Sequence, residues 1–361
     1  MLLILRALPV GADSRALRWA AIYSSQKVLW GSWGSRAPEY RATNIIQHRP
    51  KAGFFSFVVS YPIFIVLCFF YAWKNLRRGD TLLCIDLETI ITGFWAAKLR
   101  GARIHFDVAD PFYLAKPVPF KFLWRWIERF YMRKADLVTS PHASRFALFF
   151  DQMPPHALVV ENVPDIRIRT CNRNFIQTKG DNNSLTFGYF GTLESHRGLE
   201  DLMTLVSRHA NTRLVIGGRG PLSRAIANKA SACSRINFVG AFTPADLPSL
   251  VSDVDAYCSL YYASKPLHKF ASPNKYFEHL ALGLPVLMSA NTPYAQDVLM
   301  NQTGWVVDDG LESLEAWYHK YHNDSLAFYQ AAERASNLWA DRYAGWLAEQ
   351  KKIFEQMDTK L

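Results

Sequence analysis

The feature that most constrains the fold is an alternation of strands and helices that runs through the first half of the chain and then starts again. Short apolar runs alternate with helical patterns over residues 1–165, and the same alternation resumes near residue 185. Such alternation predicts parallel sheets that are covered by helices on both faces. A chain of 361 residues has room for two domains of this kind. The sequence therefore predicts an α/β fold of two doubly wound, Rossmann-like domains that face each other across a cleft.

The domain boundary is predicted from a polar segment, rich in Asn and Thr, that interrupts the alternation between the two halves. We assign residues 1–165 to an N-terminal domain, residues 166–184 to a linker, and residues 185–361 to a C-terminal domain with a helical tail.

Composition excludes several classes of protein. Half of the residues are hydrophobic and only 20% are charged, which excludes a disordered chain. The five cysteines form no Cys-x-x-Cys pair, so neither a disulfide framework nor a zinc cluster is indicated. These observations predict a protein of the reducing cytoplasm with no bound metal.

The net charge of +10 lies almost entirely in the first domain. Residues 1–165 hold 21 Lys and Arg against 12 Asp and Glu, and the remainder holds 20 against 19. This asymmetry indicates that the first domain faces something anionic. The usual nucleic-acid-binding motifs are missing from the sequence, so nucleic acid is not predicted as a partner. We expect a membrane surface instead.

A run of 20 uncharged residues, 54–73, supports that expectation. Basic residues flank it on both sides: Arg49 and Lys51 before it, and Lys74, Arg77 and Arg78 after it. The run is long enough to span a bilayer, but Pro62 lies at its middle and it sits between two predicted strands of one domain. We therefore predict a helix that contacts the inner face of the cell membrane peripherally. A plain core helix is the alternative.

A cation lies near the start of one well-defined helix in the second half. Ser272 and Pro273 are typical of a helix start, and Gly283 is typical of a helix end. Lys275, close to that start, is disfavoured by the helix dipole unless an anion is bound there. Glu278, one turn later, could accept hydrogen bonds from sugar or ribose hydroxyls. The alternative is a lysine that extends into solvent.

The same pattern occurs a second time. Gly191 follows a predicted strand, and Arg197 precedes the next helix. Two helices that begin with a cation in one domain indicate a site for a polyanion such as a diphosphate. When a diphosphate is the leaving group, such cations stabilise the negative charge that develops on it.

Five blocks of sequence between residues 186 and 310 resemble a known family. They are 187–193 with 197–199, 214–222, 238–242, 273–286 and 303–307. Their order and spacing are similar to the sugar-donor half of bacterial retaining glycosyltransferases of family 4, which have the GT-B fold. The first half resembles the family more loosely, through short segments that include Ser14-Arg15-Ala16 and Ala135–Ser140.

The resemblance implies roles for individual residues. Arg197 and Lys275 would act as the catalytic cations on the diphosphate of the sugar donor, and Glu278 would bind the ribose. The other implied residues of this site are Gly191, Thr192, Gly218, Gly240 and Asn274. Arg15 and Asp110 would lie on the acceptor side. The family needs no metal held by Asp-x-Asp, and none is predicted here.

The sequence departs from the family pattern at three positions. Phe270 replaces the first glutamate of the Glu-x₇-Glu motif, and Thr192 replaces the usual phosphate-binding arginine. Ala109 stands where the family has a histidine in its first domain, with Asp110 beside it. These departures bear on the identity of the sugar and on catalytic strength more than on the fold.

The predicted function is transfer of a sugar, with retention, from a UDP- or GDP-sugar to a glycan or lipid-linked acceptor in polysaccharide biosynthesis. No cofactor is predicted. Two alternatives stay open: a sugar-nucleotide epimerase of the same fold, and a non-catalytic scaffold that binds a partner or a membrane.

Overall fold

The computed structural model divides the chain into two compact units. It describes residues 1–9, 13–33, 43–46, 54–164 and 184–360. The first unit comprises Met1–Glu161 together with Leu347–Leu361, and the second comprises Asn162–Trp346. The last helix thus belongs to the first unit, whereas the sequence assigns it to the second domain. The predicted linker, 166–184, lies outside the described residues except for its last position.

The first unit contains a seven-stranded parallel sheet in the order β3-β2-β1-β4-β5-β6-β7. Its strands are β1 (Leu2–Arg6), β2 (Val28–Trp33), β3 (Thr43–Ile46), β4 (Thr81–Ile85), β5 (Arg103–Asp107), β6 (Leu137–Ser140) and β7 (Ala157–Val159). Its helices before the second unit are α1 (Ser14–Ile22), α2 (Phe54–Asn75), α3 (Leu87–Arg100), α4 (Phe112–Ala115), α5 (Lys121–Lys134) and α6 (Ala143–Ala147).

The second unit contains a six-stranded parallel sheet in the order β10-β9-β8-β11-β12-β13. Its strands are β8 (Leu185–Thr192), β9 (Thr212–Arg219), β10 (Ile236–Gly240), β11 (Ala256–Ser259), β12 (Val286–Ser289) and β13 (Gly304–Val307). The helices that follow in the chain are α7 (Leu199–Arg208), α8 (Ser223–Ala232), α9 (Leu247–Leu250), α10 (Asn274–Leu282), α11 (Ala295–Asn301), α12 (Leu311–Tyr321), α13 (Ser325–Arg342) and α14 (Trp346–Lys360).

Three helices of the first unit form one layer on the same side of its sheet. The chain moves in one direction across the sheet from β3 to β4, from β4 to β5 and from β5 to β6, and right-handed crossovers place the connecting helices α2, α3 and α5 on one face. Thr92 of α3 donates a hydrogen bond to the Ile65 carbonyl of α2 at 2.7 Å. The Tyr131 hydroxyl of α5 donates to the Ile91 carbonyl of α3 at 3.1 Å.

The apolar run predicted to contact a membrane forms most of α2. Phe64, Cys68, Ala72 and Leu76, at helical spacing, are all fully buried in the core of the first unit. This face packs as a core helix does. Within the described residues, no helix combines the length and the apolar character that crossing a bilayer requires.

A buried polar chain crosses the centre of the first unit. His105 of β5 hydrogen-bonds through Nε2 to the Thr139 hydroxyl at 2.8 Å and through Nδ1 to the Tyr23 hydroxyl at 3.2 Å. The edge of Trp19 packs against its ring at a centroid distance of 4.6 Å. Burial lowers the pKa of His105 from 6.5 to about 3, because the imidazolium would lose its hydration.

This lowered pKa makes the stability of the first unit depend on pH. Between pH 6.5 and about 3, the unfolded chain binds a proton that folded His105 does not accept. Stability is therefore fully present above the unfolded pKa and declines as pH falls. Between pH 7 and pH 5 we expect the opening free energy of β5 to fall by about 2 kcal/mol.

Hydrogen exchange of the β5 amides at both pH values, corrected for intrinsic rates, measures this change. The variant His105→Gln cannot titrate in this range, so most of the pH-dependent loss should disappear in it. An equal loss in the variant and in the wild type would assign the effect to other groups.

Candidate functional site

The two sheets each have a point at which the strand order reverses. In the second unit, β8 and β11 are neighbours, and the chain leaves them toward opposite edges of the sheet. The crevice outside the carboxyl ends of two such strands is where open α/β sheets bind ligands. The residues that follow β8 and β11 therefore define the first place to look for a site.

Helix α10 presents Lys275 at this point. The helix predicted between Ser272 and Gly283 is confirmed: it covers Asn274–Leu282 and ends at Gly283 in the left-handed conformation, with φ at 60°. Pro273 occupies its N-cap position. The N-cap residue Pro273 makes no side-chain hydrogen bond to this end, and the first turn carries no acidic residue. A positive helix end and a lysine thus coincide.

Lys275 is a buried cation whose described partners are aromatic rings. Its side chain is only 6% exposed, and Nζ lies 4.5 Å from the ring centre of Tyr189 and 5.8 Å from that of Tyr261. Burial lowers the pKa of Lys275, but its charge interactions with Tyr189 and Tyr261 raise the pKa by more, so the net shift is upward. The lysine therefore stays charged at neutral pH in a partly desolvated position, which favours binding of an anion.

Arg197 joins the same cluster from the loop after β8. Its guanidinium lies 4.0 Å from the ring centre of Tyr261, so this ring is shared by Arg197 and Lys275. Arg197 also pairs with Glu194 at 2.7 Å, and Lys265 approaches the same carboxylate at 3.2 Å. Three cations against one carboxylate leave an excess of positive charge. We call the three cations Arg197, Lys265 and Lys275, together with Glu194, Tyr189 and Tyr261, the cation cluster.

Two glycines allow the cluster to form. Gly191 of β8 pairs with Gly218 of β9, and both have positive φ, at 146° and 145°. A Cβ on Gly191 would lie 2.5 Å from Nζ of Lys275, and a Cβ on Gly218 would overlap the carbonyl oxygen of Gly191. Only glycine fits at these positions, because any side chain would displace either the lysine or the neighbouring strand.

The remaining residues predicted for this site lie at different distances from the cluster. Asn274 precedes Lys275 in α10, and exposed Thr192 ends β8. The Glu278 carboxylate accepts a hydrogen bond from the Tyr257 hydroxyl of β11 at 2.8 Å. Gly240, with φ at 73°, ends β10, which is two strands away from β8. The structure thus brings Gly191, Gly218, Arg197 and Lys275 together and places Gly240 at the neighbouring part of the sheet edge.

The first unit has a polar cavity at its own point of strand reversal, between β1 and β4. Its volume is about 120 Å³, and it is lined by Arg6, Ala7, Leu8, Asp86, Glu88, Asp110, Phe112, Ala115 and Lys116. The Lys116 ammonium pairs with Glu88 at 3.1 Å. Asp110, whose side chain is 48% exposed, pairs with Arg145 at 3.2 Å. Carboxylates at such a cavity can accept hydrogen bonds from hydroxyl groups of a ligand.

Asp86 is held rigidly in the wall of this cavity. Arg6 forms ion pairs with both Asp86 and Asp13, and the backbone N–H of Asp110 donates to Asp86 at 2.9 Å. Its backbone angles, φ 65° and ψ 166°, fall in a region that residues other than glycine rarely adopt. Burial raises the pKa of Asp86, although Arg6 opposes this shift.

Arg15 is placed differently from the sequence prediction. It is only 5% exposed, and its guanidinium binds the Asp107 carboxylate at 2.7 and 2.9 Å and the carbonyl of Val160. The Arg15 guanidinium and the Thr139 hydroxyl lower the pKa of Asp107 to about 2 despite its burial. These contacts neutralise the charge of Arg15 within the first unit, and its role on the acceptor side stays a prediction.

Sequence reasoning missed Tyr189, Tyr261 and Glu194. Tyr261 follows β11 closely, at the carboxyl end of a strand next to the reversal of strand order. That position could have identified it as a candidate site residue. Tyr189 lies inside β8 and reads as an ordinary core residue. Glu194 pairs with Arg197 only three residues away, but its pairing with Lys265 depends on a contact across 71 residues of sequence, so the sequence did not single it out.

Metal-binding chemistry finds no support in the described ranges. No group of three or more His, Cys, Asp or Glu side chains in them is arranged to hold a metal ion.

Comparison with known proteins agrees with this geometry. Residues 184–321 match the family model of glycosyl transferases group 1. No curated protein matches the chain by sequence. The sequence resemblance in the second half is therefore supported at the level of group 1.

Solved structures show the same fold over the whole chain. HepE from Anabaena in complex with UDP has a TM-score of 0.74 at 15% identity, with 100% of each chain covered. Sucrose-phosphate synthase from Thermosynechococcus elongatus has a TM-score of 0.73 at 12% identity, covering 100% of this chain and 99% of its own. WaaG, a glycosyltransferase involved in lipopolysaccharide biosynthesis, has a TM-score of 0.65 at 15% identity, covering 98% and 99%. The predicted fold of two Rossmann-like domains, GT-B, is confirmed.

The close approach of Lys275 to Gly191 can be tested directly. We expect Gly191→Ala to displace the lysine from β8 and to weaken binding of inorganic pyrophosphate by about tenfold, a loss near 1.4 kcal/mol. Gly310→Ala is the matched control, because Gly310 also has positive φ, at 104°, and a Cβ there meets nothing within 4 Å. Both variants carry the backbone cost of a side chain at positive φ. Titration calorimetry that finds equal affinity in the two variants would contradict the role of Gly191.

Proposed function

We propose that this protein is a retaining glycosyltransferase of family 4. It moves a sugar from a nucleotide-diphosphate donor to a glycan or lipid-linked acceptor at the cytoplasmic face of a membrane, in polysaccharide biosynthesis. The observation that carries this proposal is the cation cluster at the strand reversal of the second unit.

The chemistry of the cluster suits a departing diphosphate. Lys275 and Arg197 are held over tyrosine rings at 4.5 and 4.0 Å, so their charges are fixed in place before a ligand arrives. Fixed charges aimed at a leaving group stabilise the negative charge that develops as the glycosidic bond to phosphate breaks. The start of α10 adds backbone N–H groups to the same region.

The similarity to group 1 glycosyl transferases supports the same assignment of the second unit. The HepE structures contain UDP, UDP with glucose, and UDP-glucose. By analogy we propose a UDP- or GDP-sugar as the donor here. In this proposal Glu278 binds the ribose, while its hydrogen bond from Tyr257 fixes the direction of the carboxylate.

The acceptor is assigned to the polar cavity of the first unit. Half-exposed Asp110 would accept hydrogen bonds from hydroxyls of the acceptor, and buried Asp86 would keep the loop before α4 in position through the Asp110 backbone. In retaining enzymes of this kind the acceptor attacks from the side of the leaving group, and a phosphate oxygen takes its proton. The proposed mechanism therefore requires neither a pair of catalytic carboxylates nor a metal ion.

The function of the cation cluster is tested with a panel of UDP, GDP, ADP and CMP and their sugars. Thermal stabilisation identifies the nucleotide, and calorimetry then gives its affinity. We expect Lys275→Met to weaken that affinity by roughly thirtyfold, about 2 kcal/mol, because a charged hydrogen bond to phosphate is lost. Lys229→Met is the matched control, since Lys229 is an exposed lysine of α8 in the same unit.

Turnover separates the proposal from its two alternatives. A transferase releases the nucleotide diphosphate and forms a glycosylated acceptor, whereas an epimerase converts the sugar nucleotide without an acceptor. Nucleotide binding without turnover, unchanged in Lys275→Met, would favour a scaffold and overturn the proposal.

The acceptor site has its own variant. We expect Asp110→Asn to raise KM for the acceptor by about fivefold to tenfold and to leave nucleotide affinity unchanged, because the carboxylate faces hydroxyls and not phosphate. Initial rates at varied acceptor and saturating sugar donor measure this. A change in nucleotide affinity with constant acceptor KM would remove Asp110 from the acceptor site.

A further inference from the structure

The outer face of the α2–α3–α5 layer carries large apolar side chains that remain exposed within the part of the chain that the structure describes. The inner face of α2 is core, but Phe70 and Trp73 on its other face are 56% and 47% exposed. On α3, Trp95 and Leu99 are 53% and 69% exposed. We call this surface, together with the exposed side chains of α5, the apolar face.

Helix α5 is the most exposed part of the apolar face. Phe122 and Trp126, four residues apart and so on one side of the helix, are 74% and 64% exposed. Adjacent large apolar side chains at this exposure mark a surface that another phase or partner covers. The sequence pointed only to residues 54–73, because the aromatics of α5 are separated by charged residues and form no apolar run.

The exposed charges on the same three helices are all positive. Their exposed ionisable side chains include Lys74, Lys98, Lys121, Arg125, Arg133 and Lys134. Helix α2 has no acidic residue at all, and the only acids of α3 and α5, Glu88 and Glu128, are 5% and 0% exposed. The described outer surface of these helices therefore combines aromatic rings with an excess of cations, of which Lys98 pairs at 4.0 Å with Asp136, just after α5.

We propose that the apolar face docks on the surface of an anionic lipid bilayer. Anionic headgroups complement the cations, and the aromatic rings enter the boundary between headgroups and acyl chains. A second copy of this chain is a poorer occupant, because self-association would place cations against cations. The proposal deepens the membrane-side function proposed above and rests on it for its biological meaning, but it names α5 rather than α2 alone as the contact.

The proposal is tested by sedimentation of the full chain with vesicles, in the absence of sugar donor and acceptor. Vesicles of phosphatidylcholine mixed with phosphatidylglycerol, an anionic lipid, are compared with vesicles of phosphatidylcholine alone. We expect binding to the anionic vesicles, weaker binding to the neutral ones, and a decline as salt is raised. The double variant Phe122→Ser/Trp126→Ser should need at least about tenfold more lipid for half-binding.

Matched variants distinguish lipid binding by the apolar face from nonspecific adsorption through other exposed side chains. Leu299→Ser/Met300→Ser removes two apolar side chains of α11 that are 57% and 64% exposed in the second unit, and it should bind like the wild type. Lys98→Gln/Lys121→Gln should weaken binding to anionic vesicles only. The control variant Arg224→Gln/Lys229→Gln, at exposed positions of α8, should bind anionic vesicles as the wild type does. Melting temperatures confirm that all variants fold.

Two results would overturn the proposal: no binding of the wild type to anionic vesicles, or equal binding of the α5 variant and the wild type. A dimer in light scattering that Phe122→Ser/Trp126→Ser dissociates would assign the apolar face to self-association instead. Nucleotide affinity, measured on the same α5 variant, should equal that of the wild type. Loss of lipid binding with intact nucleotide binding, or the reverse, therefore distinguishes failure of this inference from failure of the proposed function.

Discussion

The cation cluster, the polar cavity and the apolar face all depend on the handedness of the connections between parallel strands. Right-handed crossovers force the chain to place helices on opposite faces when it moves toward opposite edges of a sheet. Helices cover both faces here because the strand order reverses once in each unit, between β1 and β4 and between β8 and β11. At each reversal two loops diverge and leave a crevice, which a continuous order would have closed. The cation cluster and the polar cavity lie at these two points.

The same constraint generates the apolar face. Because α2, α3 and α5 all connect strands in one direction, they share one side of the sheet and lie next to one another. Their inward sides must be apolar, because they cover a buried parallel sheet. The outward side of a single layer of helices is under no such requirement. Large aromatics there, such as Trp126, are not explained by the packing of the first unit.

Much of the fold could be predicted from the sequence, because strands buried on both faces appear as apolar runs between helical patterns. Strands β2 and β3 escaped prediction. The sequence of β2, Val-Leu-Trp-Gly-Ser-Trp, contains Gly31 and Ser32, which are typical of turns, and only pairing with β1 overrides that local preference. Helix α10 was predictable in detail, since Gly283 sets its end by local geometry alone.

The site could be predicted only in part, and the reason is visible in Lys275 and Arg15. Both are cations near the start of a helix, and sequence alone treats them alike. Arg15 meets the buried carboxylate of Asp107, brought to it from 92 residues away, so its charge is neutralised within the fold. Lys275 meets the rings of Tyr189 and Tyr261, which hold a charge without neutralising it. Whether a buried cation is neutralised within the fold is therefore decided by a long-range partner, and that partner is what periodicity and capping patterns do not encode.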